Sequence, residues 1–80
     1  DHLDFYDILL ARAENFHRLN LAANALENYQ EAIRLFPNNL QAYEKRGYFY
    51  QVRGDNAKAQ ADYAKVNELK KQPAQQNAAS

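Results

Sequence analysis

In the run Tyr43-Glu44-Lys45-Arg46-Gly47-Tyr48-Phe49-Tyr50-Gln51-Val52-Arg53-Gly54-Asp55, an aromatic, a glycine and a second aromatic recur at spacings of four and three. Those three positions, Tyr43, Gly47 and Tyr50, fall on one side of a helix. Gly54-Asp55 is a turn signal that ends it. Past the turn, Ala59, Tyr63 and Val66 repeat the spacing, which predicts a further helix from about Ala57 to Lys71. Upstream, Pro37 disfavours helical geometry at Phe36, and Asn39 is a suitable N-cap for the helix that follows.

Displacing the chain by 34 positions lays its first half on this stretch. Leu9 falls on Tyr43, Arg12 on Arg46, Ala13 on Gly47, Phe16 on Tyr50 and Asn20 on Gly54. Ala25 then falls on Ala59, Tyr29 on Tyr63, Ala32 on Val66 and Leu35 on Leu69. Two more helices are therefore predicted, one through Phe5, Leu9, Ala13 and Phe16, the other through Ala22, Ala25, Leu26, Tyr29, Ala32 and Ile33. The small residues let paired helices approach closely, and the aromatics fill the space beside them. The expected class is all-α: four helices in two tandem antiparallel hairpins, residues 6–39 and 40–73, forming one domain over 1–73. The tail, 74–80, has no bulky apolar residue and is expected to be disordered.

Composition agrees. The interior is rich in Ala, Leu, Glu, Lys, Arg and Gln, which lose little entropy in a helix, and Thr is absent. With no Cys, neither a disulfide framework nor a thiolate metal site can form, and the compartment is left open. No apolar run approaches the ~18 residues of a membrane span. Net charge is zero, which argues against a partner held by neutralised phosphates. Residues 1–39 carry six acids and three bases, and residues 40–80 four acids and seven bases, so the halves stand at −3 and +3.

The pattern Ala25…Tyr29…Ala32…Pro37-Asn38-Asn39 in the first unit, and Tyr43…Gly47…Tyr50…Gly54-Asp55…Ala59…Tyr63 in the second, resembles the tetratricopeptide repeat family. The resemblance implies a short right-handed α-solenoid, a non-enzymatic scaffold or adaptor. Its first helices would line a concave surface that holds a protein or peptide partner. Carried onto this sequence, the groove-facing positions are Asp7, Leu10, Ala11, Glu14, His17 and Arg18, with Gln41, Glu44, Lys45, Tyr48, Gln51 and Val52. The strongest candidates for partner contact are Glu14, His17, Arg18, Glu44, Lys45, Tyr48 and Gln51, since an exposed Tyr among charges is a common hot-spot composition. One subclass clamps the C-terminal carboxylate of chaperones with Lys and Asn. Those positions here hold Leu10, Glu14, Glu44 and Tyr48, and the two glutamates would repel a carboxylate.

The sequence also departs from the family's pattern. Arg12 and Arg46 stand where an aliphatic residue is usual, and they are expected to pack their stems and keep their heads in water. The first turn, Asn20-Leu21-Ala22, lacks the Gly-Asp of the second. Members of the family usually have more repeats and a polar capping helix. Here the last helix is expected to keep an uncovered apolar flank around Tyr63, Val66 and Leu69. That flank and the −3/+3 split suggest an alternative role in self-association, head to tail or as a dimer, or membership of a longer repeat array.

Sharper chemistry finds little support. Glu14-x-x-His17 has the spacing of a carboxylate–imidazole metal pair, but no second Glu-x-x-His accompanies it, so no metal or cofactor is expected. The only Ser is Ser80, which excludes a Ser-based triad, and no catalytic residues are assigned. Lys45 to Arg53 interleaves bases with aromatics, as single-stranded nucleic-acid binders do. Helical geometry, however, points Gly47 and Tyr50 away from Lys45 and Tyr48, so no continuous stacking platform is expected.

Overall fold

The computed structural model describes residues 4–71, which form α1 (Asp4–Arg18), α2 (Ala22–Leu35), α3 (Leu40–Val52) and α4 (Asn56–Lys70). The predicted tail, 74–80, and the last residues of the second unit lie outside the described residues. No strand occurs among the described residues. The helices pair as α1 with α2 and α3 with α4, and α3 lies against α2 and α1. Helix α4 makes no comparable contact with α1, so the two hairpins stack in an open order.

The 34-residue period extends to the backbone of the turns. The Leu21 N–H donates to the Phe16 carbonyl at 2.9 Å, and the Asp55 N–H to the Tyr50 carbonyl at 2.9 Å. The Asn20 N–H donates to the His17 carbonyl at 3.0 Å, and the Gly54 N–H to the Gln51 carbonyl at 3.0 Å. Both pairs are the 6→1 and 5→2 bonds of a Schellman ending. The residue at C′ must then be left-handed, and Asn20 (φ 63°) and Gly54 (φ 85°) are. Asparagine tolerates that region better than other residues with a Cβ, so the first turn needs no Gly-Asp.

Asn39 occupies the expected N-cap of α3 with extended backbone, but its side chain makes no capping bond. The Ala42 N–H, which such a side chain commonly satisfies, instead donates to the Tyr6 hydroxyl of the first unit at 3.0 Å. Burial, the largest influence, raises the Tyr6 pKa above its ordinary value. Within the second unit, Tyr43 Oη donates to the Pro37 carbonyl at 3.2 Å, and Asp55 caps α4 by accepting from the Lys58 N–H at 3.3 Å.

The core is continuous across the first hairpin and into the second. Leu9, Leu10, Ala13, Ala25, Tyr29 and Ala32 pack with Ala42 and Phe49 of α3. Tyr43, Val66 and Leu69 form a second cluster, joined by Ile33 and Leu40. This burial corrects the expectation for the last helix: Val66 and Leu69 are inside, and the half-buried Tyr63 donates its hydroxyl to Gln51 Oε1 at 2.8 Å. The large apolar side chains that remain exposed include Phe5, Ile8, Leu19 and Leu21 on the first hairpin and Tyr48 and Val52 on α3.

A second correction concerns Arg46. Its head is turned to α4 and keeps only partial access to water. Nε and Nη2 donate to the two carboxylate oxygens of buried Asp62 at 2.8 and 2.6 Å. That bidentate bond is the main cause of a raised guanidinium pKa. Arg12, its counterpart in the first unit, is exposed as expected.

Gly47 of α3 lies against the Tyr63 ring of α4, and an added Cβ would lie 2.7 Å from Tyr63 Cε1. Alanine there gains helix propensity of about 1 kcal/mol but displaces the ring from Gln51, so little net change in melting temperature is expected. Gly47→Leu has no such compensation and is expected to destabilise the chain by about 2 kcal/mol, measured by urea denaturation.

Candidate functional site

Glu14, His17 and Arg18 stand at spacings of three and one on α1, and Glu44, Lys45 and Tyr48 at one and three on α3. Helical periodicity gathers each set on one face. Because α3 lies beside α1, the two faces meet across a hollow of about 490 Å³, lined by these six residues and by Tyr29 of α2. The sequence had placed all six in a groove, and the structure brings them together in one place.

The hollow has a structured floor and two charged walls. Tyr29 is 1% exposed, with its ring 5.8 Å from Phe49. Burial first, and the charge of Glu14 second, push its phenol up to about 12, so it remains a neutral group beneath the hollow. The His17 ring sits edge-on to Phe49 at 5.0 Å and to Tyr48 at 6.3 Å. Lys45 Nζ donates to Glu14 Oε2, a bond that ties α3 to α1. Both side chains are well exposed, so the pair adds little stability and acts mainly on the positions of the two walls. Arg18 is held along α1 by donating to Asn15 Oδ1 at 3.0 Å.

Gln51 departs from the expected site. It does not line the hollow, and its side chain accepts the bond from Tyr63. It is the 34-residue counterpart of His17, whose ring packs on Phe49 of the second unit, whereas Gln51 bonds within its own unit. Leu10 also departs: it is buried in the core rather than presented to the groove. Asp7, Ala11, Gln41 and Val52 are exposed but do not line the hollow. The sequence reading omitted Tyr29 as a lining residue, because as the counterpart of Tyr63 it reads only as a packing residue.

Hydrogen-bond donors, acceptors and aromatic edges together suit recognition of a mixed polar and apolar segment. Among the described residues no group of three His, Cys, Asp or Glu could hold a metal ion, and no helix is long and apolar enough to cross a membrane. Residues 28–61 match the family model described as tetratricopeptide repeat. The match runs from the second half of α2 through α3 into α4, across the boundary between the two hairpins. No curated protein and no solved structure matches the chain.

Proposed function

Because the chain belongs to the tetratricopeptide repeat family, whose repeats are generally protein–protein interaction modules, we propose that it is a non-enzymatic adaptor holding a segment of a partner protein between α1 and α3. We take the units as 6–39 and 40–73. The observation that supports the reading is the convergence of six polar and aromatic side chains from two helices over the buried Tyr29. Tyr48 is the exposed aromatic of the set and would supply the apolar contact. Glu44 and Arg18, on opposite walls, would select complementary charges on the segment.

The test is an array of short peptides of varied charge, probed with the intact chain and two variants. Tyr48→Ala is expected to weaken the peptides that bind by roughly tenfold or more. Lys45→Glu, which sets two acids against each other across the hollow, should weaken the same peptides. Peptides ending in an acidic C-terminal sequence should not bind, because Glu14 and Glu44 face the space they would enter. Binding that neither variant changes, or an array with no binder, would remove this reading.

A further inference from the structure

Three tyrosines that pack between helices have their hydroxyls bonded. Tyr6 Oη accepts from the Ala42 N–H, Tyr43 Oη donates to the Pro37 carbonyl, and Tyr63 Oη donates to Gln51 Oε1. Tyr29 is more buried than any of them, yet its hydroxyl has no hydrogen-bond partner among the described residues. A buried hydroxyl left unpaired costs stability, and folded proteins keep few of them. Tyr29 lines the hollow between α1 and α3, and Glu14 of the α1 wall is the charge that acts on its phenol, which places the hydroxyl end of the ring at that wall.

The second unit shows what such a phenol bonds. Tyr63 is the 34-residue counterpart of Tyr29, and its proton goes to a carboxamide oxygen, that of Gln51. In the first unit the counterpart of Gln51 is His17, whose ring is edge-on to Phe49. The phenol is repeated and its carboxamide is not. The rest of the lining narrows what can take the empty role. A carboxylate would accept the phenol proton but would meet Glu14 and Glu44. An ammonium or guanidinium has no acceptor for that proton, and it would compete with Lys45 for Glu14. An alkyl group leaves the hydroxyl unpaired. A primary carboxamide carries an acceptor for Tyr29 and two donors besides. Those donors suit Glu44, which is half-buried and has no ion pair among the described residues.

We infer that the floor of the hollow is a subsite for a primary carboxamide, the side chain of a glutamine in the partner segment, whose oxygen accepts the Tyr29 O–H as Gln51 accepts that of Tyr63. Its amide nitrogen donates to the Glu44 carboxylate. The inference rests on the groove reading above and adds the residue that the segment must present. Tyr29 is then a specificity residue as well as a packing one.

The test has two parts, one with no peptide present. Tyr29→Phe removes the unpaired hydroxyl and keeps the ring, so the melting temperature of the free chain is expected to rise by roughly 2–5 °C. A fall would mean that the hydroxyl is already bonded within the fold, and would overturn the inference. In the second part, peptides are synthesised in sets that differ at one central position, which holds Gln, Glu, Lys or Met. Gln is expected to bind the intact chain about tenfold more tightly than Met, and more tightly than Glu or Lys. With Tyr29→Phe the preference for Gln over Met should shrink to roughly threefold or less. Peptides that bind the intact chain equally well with Gln and Met, or a preference that Tyr29→Phe leaves intact, would overturn this inference and leave the groove reading standing. Sets in which nothing binds would remove both. Displacement of a bound peptide by free glutamine at micromolar concentration would also overturn it, since the occupant would then be a small molecule.

Discussion

Tyr29→Ala is expected to leave the chain largely unfolded at 25 °C, with the helical circular-dichroism signal lost or a urea midpoint too low to define a folded baseline. The side chain is 1% exposed and stands where α2 meets both α1 and α3, so its ring serves the hairpin and the joint between hairpins together. Removing a buried aromatic costs about 3–5 kcal/mol, through lost transfer energy and the cavity left behind. A chain of this size holds roughly 4–10 kcal/mol in all, so one substitution consumes much of it. Tyr29→Phe keeps the ring and should fold.

That second variant also isolates a pH effect. The folded phenol is pushed up to about 12, while the unfolded one titrates near its ordinary value of 10. A proton held more tightly in the folded state stabilises it below the unfolded pKa, and that stabilisation is lost as pH rises from about 10 toward 12. That difference corresponds to about 3 kcal/mol. Denaturant midpoints across this range should fall more steeply for the parent chain than for Tyr29→Phe. Parallel profiles would show that burial of this phenol does not govern the alkaline limb.

The second large effect is expected at Arg46. Arg46→Met should destabilise the chain by about 3 kcal/mol, because it leaves the Asp62 carboxylate, 3% exposed, without its two bonds. Asp62→Leu alone should cost less, since the guanidinium retains partial access to water and lies 5.8 Å over the Tyr50 ring. Combining Arg46→Met with Asp62→Leu should recover most of the loss, since an apolar pair of similar volume carries no desolvation cost. A double-mutant cycle in urea measures the three values. Strict additivity of the two losses would mean that the pair is not the coupled unit its geometry describes.

The helices and the hairpin order were legible because their signals are local. Spacings of three and four, Pro37 and the Gly54 turn each act within a few residues. The groove set was also readable to a large extent, since Glu14, His17, Arg18, Glu44, Lys45 and Tyr48 share helix faces whatever the tilt between α1 and α3. The reading failed where the answer depends on how one helix rotates against another. Arg46 and Asp62 lie 16 positions apart on different helices, and nothing local marks them as partners. Gln51 differs from Tyr48 by less than one helical turn, yet α4 takes it. The last helix looked apolar on one flank because Val66 and Leu69 were counted without Ile33 and Leu40, which cover them from the preceding segment.

The Tyr6 hydroxyl on the Ala42 N–H has a consequence for how the chain assembles. A helix start is the costly part of helix formation, and this one is completed by a side chain 36 positions earlier. The later segment therefore gains its full stability only once the earlier one is in place, which favours a single cooperative melt over separate steps.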